Sequence, residues 1–156
     1  MGIDFTLDGK VAIVTGAAVG GIGEAYAKAL AGAGAAVVCA DIRIEPAQAV
    51  ADSITAGGGR AVAVAVDIAD ESSVASMVAA ATDAFGGVDI LVNNAALMAQ
   101  LVGNTAMTFP RAEWDRAFSV NVTGSWQCIK AVAPSMIARG GGRIINQASV
   151  GAYPAE

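Results

Sequence analysis

The residues whose types and spacing suggest chemistry begin with a glycine-rich stretch at residues 15–23, which reads TGAAVGGIG. Gly16 permits a tight turn, and Gly20 or Gly21 lets bare backbone approach a negatively charged group. Gly23 lets a following helix pack closely against a sheet. The first N–H groups of such a helix point at an anion, which the helix dipole also favours. The pattern is typical of a loop that holds the pyrophosphate of a dinucleotide.

An acid follows at the distance along the chain where a ribose is usually bound. Asp41 lies eighteen residues beyond Gly23 and closes an apolar run at residues 36–40. A carboxylate in this place accepts hydrogen bonds from the two hydroxyls of an adenosine ribose and repels a 2′-phosphate. Asp41 therefore predicts NAD in preference to NADP, although Arg43, two residues away, is near enough to meet a phosphate.

Alternating strands and helices must position these residues. Short apolar runs predict five strands, at 11–14, 36–40, 61–66, 88–92 and from 143. Helical spacing and turn residues predict helices at 23–32, 46–55, from 70 or 72 to 85, and 111–138. Continuous apolar strands that alternate with helices are typical of a parallel sheet covered on both faces. We therefore predict one α/β domain over residues 1–156, with a doubly wound, Rossmann-like parallel sheet.

Composition limits the classes of function. Hydrophobic residues make up 55% of the chain, but no apolar run reaches the roughly eighteen residues of a membrane span. A net charge of −5 with nine scattered basic residues argues against nucleic acid as a partner. The absence of histidine removes the usual serine-protease triad and most zinc sites, so we predict no metal. Cys39 and Cys128 are predicted to be buried thiols in a reducing, cytoplasmic environment.

The glycine stretch also resembles a family signature. Thr-Gly-x-x-x-Gly-x-Gly characterises the short-chain dehydrogenase/reductase family, and residues 15–23 match it with one extra residue. Four residues separate Gly16 from Gly21, where the family has three. The resemblance extends over essentially the whole chain and implies the strand order 3-2-1-4-5. It also implies hydride transfer between a nicotinamide cofactor and a small-molecule alcohol or ketone.

Further matches imply roles for individual residues. Residues 93–96 resemble the family's Asn-Asn-Ala-Gly, whose asparagines brace the sheet and line the cofactor, with Ala96 in place of glycine. Asn121 resembles a helical asparagine that disturbs its helix and holds a water in the proton path. Ser149, at the carboxyl end of the fifth strand, matches the catalytic serine. The resemblance thus assigns catalysis to Ser149 and Asn121. It assigns cofactor binding to Gly16, Gly21, Ile22, Gly23, Asp41, Asp67, Ile68, Asn93 and Asn94.

One element of the family has no counterpart in the chain. The family's general acid/base is a tyrosine about a dozen residues after the serine, and a nearby lysine lowers its pKa. Tyr153 is only four residues past Ser149, and no lysine follows it, so we do not assign it this role. We expect the 156 residues to be the amino-terminal part of a longer enzyme and to be inactive by themselves.

Two other classes of protein remain compatible with the sequence. One is a non-catalytic dinucleotide-binding protein, whose gene would not continue past Glu156 into a Tyr-x-x-x-Lys segment. The other is a scaffolding subunit that uses the 111–138 helix for association and would not bind NADH.

The 111–138 helix also bears on assembly. Trp114 and Trp126 fall at helical spacing, and we predict that both are core residues. Helices that are apolar on several faces are buried on several sides. The family pairs this helix across a two-fold axis, so the resemblance implies a homodimer or homotetramer. The predicted seam consists of Val122, Ile129 and Met136.

Overall fold

The computed structural model describes residues 6–98 and 105–149, and its centre is a five-stranded sheet. The strands are β1 (Val11–Thr15), β2 (Ala36–Asp41), β3 (Arg60–Ala65), β4 (Ile90–Asn93) and β5 (Arg143–Asn146). Their spatial order is β3-β2-β1-β4-β5, and every neighbouring pair is parallel. The predicted α/β class and the 3-2-1-4-5 order are confirmed.

Five α-helices connect the strands. They are α1 (Ile22–Gly32), α2 (Ile44–Ala56), α3 (Glu71–Phe85), α4 (Arg111–Phe118) and α5 (Ser125–Ala138). The start of α3 is fixed by Asp70, whose carboxylate accepts the backbone N–H groups of Ser72 and Ser73. In the described residues no helix combines the length and the apolar character needed to cross a bilayer.

The sheet separates two cores because successive side chains of a strand point to opposite faces. Along β1, Ala12 and Val14 pack on the side of α1 and α2, whereas Ile13 packs on the side of α3 and α5. Cys39 lies in the first core and Cys128 in the second, both as free thiols. Burial raises the pKa of each thiol to about 11, as expected for unreactive packing residues.

The predicted 111–138 helix is continuous but not uniform. Between α4 and α5 lies a six-residue π-helical segment, Ser119–Gly124, which we call the π segment. Such segments are rare and often mark functional sites. Gly124 at its end allows close packing, since a Cβ there would stand 2.7 Å from Cγ1 of Ile68. The interruption occurs at Asn121, where the resemblance implied a locally disturbed helix.

The prediction that both tryptophans are core residues is wrong. Trp114 is 52% exposed and Trp126 is 56% exposed. The buried positions of α5 are taken by smaller side chains, Cys128, Val132 and Met136, which leaves Trp126 of the same helix exposed. In α4, which carries Trp114, no residue is buried.

Of the three residues in the predicted dimer seam, only Val122 is well exposed. Met136 is 5% exposed and belongs to the core, Ile129 packs against that core, and Val122 is 57% exposed. The exposed apolar face of this region consists instead of Trp114, Phe118, Val122 and Trp126, which we call the aromatic face.

Among the described strands, β5 lies at one edge of the sheet and pairs only with β4. All four of its residues are exposed, and Ile144 and Ile145 are 39% and 45% exposed. Within the described residues, this edge of the sheet therefore exposes two apolar side chains.

Candidate functional site

A cleft of about 590 Å³ lies along the carboxyl edge of the sheet. Gly16 follows β1, Asp41 ends β2, and Asp67 and Ile68 follow β3, so parallel strands deliver all four residues to the same edge. Open α/β sheets bind ligands at this edge, where the strand order reverses. The structure therefore brings together four residues that the sequence assigned to a cofactor. The other lining residues are Ile42, Arg43, Val66, Ala95, Ala96, Leu97, Met98, Arg116 and Val120.

The glycine loop accommodates its extra residue in an exposed turn. The N–H of Gly21 donates to the carbonyl of Ala18 at 3.3 Å, and Gly20 adopts a φ of +84°. A positive φ at this position favours glycine because other residues meet a steric penalty there. Val19 is 55% exposed. The turn that contains the additional residue thus lies on the solvent side, while Gly16 and Gly23 on either side of it stay in contact.

Gly16 and Gly23 are in close contact where the loop meets the helix. A Cβ on Gly23 would stand 2.1 Å from the Gly16 carbonyl oxygen and 2.8 Å from Nδ2 of Asn94. Gly16 adopts a φ of +68°, and a Cβ there would stand 2.8 Å from Cα of Ala95. Both positions therefore require glycine.

The start of α1 offers backbone N–H groups to a ligand. Gly21 is the N-cap of this helix, and no side chain caps it, in contrast with α3. The N–H of Gly20 is already used, because it donates to Oε2 of Glu24 at 2.7 Å. Lys28, and then this N–H, hold the pKa of the Glu24 carboxyl below its usual value. The amides of Ile22 and Gly23, which begin the helix, are the donors available to an anion.

Thr15 and Asn94 brace the loop from behind. Oγ1 of Thr15 donates to the Val92 carbonyl and accepts the backbone N–H groups of Asn94 and Ala95, both at 3.1 Å. Nδ2 of Asn94 donates to the carbonyls of Thr15 at 3.0 Å and Gly16 at 3.2 Å. These bonds fix the end of β1 against the segment that follows β4.

Asn93 points to the other neighbour of β4. Its Nδ2 donates to Oδ1 of Asn146 at 2.9 Å and to the Ser125 carbonyl at 3.3 Å, which joins β4 to β5 and α5. Its own Oδ1 is buried without a partner among the described residues. Both asparagines brace the sheet, but neither lines the cleft.

Asp41 presents a largely buried carboxylate to the cleft, with 8% of the residue exposed. Oδ1 accepts the backbone N–H of Arg43 at 3.0 Å, and the Arg43 guanidinium lies 3.8 Å away. Oδ2 accepts no hydrogen bond from the described residues. One oxygen of Asp41 is therefore held by the protein, while the other remains available to a hydroxyl group.

The segment after β3 offers an acceptor and a donor in consecutive residues. Oδ1 of Asp67 accepts the N–H of Ala69 at 2.9 Å, and the N–H of Asp67 donates to Oγ of Ser73 at 3.0 Å. Within the described parts of the chain, Oδ2 of Asp67 and the N–H of Ile68 have no partner. This pair is complementary to an adenine edge, whose amino group donates and whose ring nitrogen N1 accepts.

The two residues assigned to catalysis lie outside this cleft. Asn121, in the π segment, lines a second groove of about 650 Å³ with Phe109, Trp114 and Phe118. Its side-chain amide hydrogen-bonds to the backbone of Leu97. Ser149 is exposed beyond the end of β5, and the N–H of Gln147 extends the strand by donating to the Asn93 carbonyl at 3.0 Å. Tyr153 lies outside the described residues.

Comparison with known proteins agrees with this architecture. The family profile described as short chain dehydrogenase matches residues 10–155. The chain belongs to the short-chain dehydrogenase family. An uncharacterised oxidoreductase of Mycobacterium tuberculosis (strain ATCC 25618 / H37Rv) is 51% identical over 146 residues, which are 94% of this chain and 58% of that protein.

Two other members of the short-chain dehydrogenase family extend the comparison. Sorbitol dehydrogenase of Cereibacter sphaeroides is 47% identical over 146 residues, covering 92% of this chain and 54% of the relative. The crystal structure of hydroxysteroid dehydrogenase from Escherichia coli superposes with a TM-score of 0.83 at 40% identity, covering 92% of this chain and 59% of that one. The chain thus spans a little more than half the length of these relatives.

Sequence reasoning missed several residues of this short-chain dehydrogenase site. Arg116 and Val120 line the cleft from α4 and the π segment. Their spacing of four residues predicts that they share one face of a helix. The sequence does not show that this face lies at the cleft, because that depends on the position of the π segment. The described residues contain no group of three or more His, Cys, Asp or Glu side chains able to hold a metal ion.

Proposed function

We propose that this chain is the nucleotide-binding part of an enzyme that uses NAD(H) to interconvert an alcohol and a carbonyl compound. The observation that carries the proposal is the cleft that joins Gly16, Asp41 and Asp67 at the carboxyl edge of the sheet. Membership of the short-chain dehydrogenase family supports a nicotinamide cofactor, and the carboxylate of Asp41 favours NAD over NADP.

Each part of the ADP moiety of the cofactor has a chemical counterpart in the chain. In this proposal the uncapped start of α1, at Ile22 and Gly23, binds the pyrophosphate. Oδ2 of Asp41 accepts a ribose hydroxyl. Oδ2 of Asp67 accepts the amino group of adenine, and the N–H of Ile68 donates to N1. The free donor and acceptors match these groups in number and in polarity.

The reaction is proposed for the whole enzyme. NAD supplies the hydride acceptor when bound, and Ser149 hydrogen-bonds the oxygen of the substrate. Leu97 occupies both ends of the Asn121 side-chain amide. We therefore assign the water of the proton path to the Asn121 backbone carbonyl, which also accepts a hydrogen bond from Oγ of Ser125 at 3.3 Å. The similarity to sorbitol dehydrogenase supports a small alcohol or polyol as substrate.

Titration with NADH tests the cofactor assignment directly. NADH and ADP-ribose should bind the chain, while reduced nicotinamide mononucleotide should compete weakly, because the described groups of the cleft face the adenosine half. A chain that binds none of these ligands would contradict the proposal and would favour a scaffolding role. NADH binding by a protein whose coding sequence does not continue into a Tyr-x-x-x-Lys segment would instead favour a non-catalytic dinucleotide-binding protein.

We also propose that the enzyme is a cytoplasmic homodimer or homotetramer that pairs through the aromatic face. The exposure of Trp126 and Phe118 supports this assembly, and the buried free thiols of Cys39 and Cys128 support a reducing compartment. Trp126→Glu should shift the sedimenting species toward monomer. Ser53→Glu, which adds the same charge at an exposed position of α2, is the matched control. A wild-type enzyme that sediments as a monomer at micromolar concentration would contradict the assembly.

A further inference from the structure

Gln127 of α5 makes a buried contact with the segment at the base of the cleft. The residue is 7% exposed, and its Nε2 donates to the Ile68 carbonyl at 2.8 Å, across 59 positions of sequence. Gly124, nearly one helical turn earlier, brings the helix close enough for this bond. A Cβ on Gly124 would stand 2.7 Å from Cγ1 and 3.0 Å from the carbonyl oxygen of Ile68.

The bond from Gln127 continues into the cleft through one peptide group. The Ile68–Ala69 peptide accepts from Gln127 at its carbonyl and donates from the N–H of Ala69 to Oδ1 of Asp67 at 2.9 Å. Hydrogen bonds arranged in such a chain polarise one another, and each fixes the orientation of the next group. The buried side chain of Gln127 is thus connected, through one peptide group, to the carboxylate of Asp67 that lines the cleft.

The remaining backbone donors of this segment are occupied as well. The N–H of Val66 donates to the Asp41 carbonyl at 2.9 Å, and the N–H of Asp70 donates to the Asp67 carbonyl at 3.0 Å. Of the backbone N–H groups of residues 66–70, only that of Ile68 has no acceptor among the described residues, and Oδ2 of Asp67 is open as well. These two groups are the ones that the proposed adenine site uses.

We propose that Gln127 is a positioning residue for adenine recognition, which acts through the Ile68–Ala69 peptide on the carboxylate of Asp67. The inference rests on the proposed binding of an adenine dinucleotide and adds a residue outside the cleft to it. Without the Gln127 donor, the Ile68 carbonyl is buried unpaired, which favours rotation of the peptide. Rotation withdraws the Ala69 N–H from Asp67, and the carboxylate loses its fixed orientation toward the adenine amino group.

A purely structural role for Gln127 predicts a different result. Gln127 would then only hold α5 in place, as does the neighbouring ion pair between Lys130 and Glu71 at 2.7 Å, and its loss would weaken every ligand alike. A positioning role acts on the amino group of adenine alone. A ligand in which a carbonyl replaces that amino group distinguishes the two roles.

The test compares NADH with reduced nicotinamide hypoxanthine dinucleotide by calorimetric titration. Wild-type chain should prefer NADH, since hypoxanthine presents a carbonyl to Asp67 and an N–H to the Ile68 donor. Gln127→Leu should weaken NADH binding about tenfold and change hypoxanthine dinucleotide binding less than about twofold. Gln127→Asn, whose shorter side chain cannot reach Ile68, is a milder variant that should show the same selective loss.

Glu71→Gln is the matched control, because it weakens the contact between α3 and α5 without touching Ile68. It should leave both affinities unchanged. Equal weakening of the two ligands by Gln127→Leu or Gln127→Asn, or no weakening of NADH, would overturn the positioning role while NADH binding by the wild type stands. Failure of the wild type to bind either dinucleotide would overturn the proposed function and this inference together.

Discussion

The side-chain amide of Asn121 pairs with the backbone of Leu97 as one strand residue pairs with its neighbour. Oδ1 accepts the N–H of Leu97 at 2.7 Å, and Nδ2 donates to the carbonyl of Leu97 at 3.1 Å. The two bonds tie the π segment to the chain that follows β4 and satisfy a polar residue within an apolar helix. The helix is thus interrupted where its side chain braces the rim of the cleft.

Removal of this amide should destabilise the protein. Asn121→Leu leaves both backbone groups of Leu97 without their partner, so we expect the free energy of unfolding to fall by about 2 kcal/mol. Urea denaturation followed by tryptophan fluorescence measures the change. Asn121→Asp keeps only the acceptor and should lose a smaller part. Equal stability of wild type and Asn121→Leu would show that the pairing contributes nothing.

A second prediction concerns the contact between Gly23 and Gly16. Gly23→Ala forces a methyl group to within 2.1 Å of the Gly16 carbonyl oxygen, so the loop must move away from the helix start. NADH affinity should fall by at least about tenfold, with a lower melting temperature. Gly32→Ala is the control, because a Cβ there meets nothing within 4 Å. It should preserve NADH binding, and an equal loss in both variants would contradict the role of this contact.

Asp41 should decide the choice between the two nicotinamide cofactors. Asp41→Ala removes the acceptor for the ribose hydroxyls, so NADH should bind about tenfold more weakly. It also removes the repulsion of a 2′-phosphate, so the ratio of the NADH and NADPH affinities should move toward one. Competitive titrations with both cofactors measure this. Arg43→Ala should spare NADH, because the Arg43 side chain is 68% exposed and only flanks the carboxylate. Tighter binding of NADPH by the wild type would show the assignment to be wrong.

A buried ion pair at the opposite edge of the sheet should control stability in acid. Burial acts to raise the pKa of the Asp89 carboxyl, but hydrogen bonds from Arg139 and the Val11 N–H, with the charges of Arg139 and Lys10, hold it below its usual value. A lowered folded-state pKa stabilises the protein above the ordinary Asp value near 4, and this stability is lost as pH falls further.

Asp89→Asn should lower the free energy of unfolding at pH 7 by about 2 kcal/mol, because Arg139 loses its charged partner. The difference from wild type should begin to shrink below about pH 4, where the carboxyl of the unfolded chain is protonated. It should vanish only below the lowered pKa of the folded state, where the folded carboxyl is protonated as well. Urea denaturation from pH 2 to pH 7 measures both effects. A difference that stays constant over this range would exclude the carboxylate charge as its cause.

Ser149 should matter for turnover and little for cofactor binding. In an enzyme that carries the Tyr-x-x-x-Lys segment, Ser149→Ala should lower kcat by about 10²-fold, as expected when one positioned donor is removed from a developing charge. NADH affinity should stay nearly unchanged, since Ser149 does not line the cleft. The 156-residue chain should show no turnover. If this chain oxidised an alcohol and Tyr153→Phe abolished that activity, the expected inactivity of the chain would be wrong. Tyr153 would then have the general acid/base role that we did not assign to it.

The sequence by itself determined the sheet and the residues at its carboxyl edge. Runs such as residues 36–40 are apolar without a break, which is typical of a strand in a sheet covered on both faces. Gly16, Asp41 and Asp67 each follow or end a strand, and parallel strands bring such residues to one edge whatever the details of packing. Their meeting in one cleft therefore followed from local pattern alone.

The tertiary structure alone decided which side of the long helical region faces the sheet and how that region reaches the cleft. Trp126 and Val132 are both apolar residues of the long helical region, yet the smaller Val132 is buried in the core and Trp126 is exposed. The contacts of Gln127 with Ile68 and of Asn121 with Leu97 join residues far apart in sequence. Such pairings depend on how segments pack in space, and no spacing along one segment encodes them.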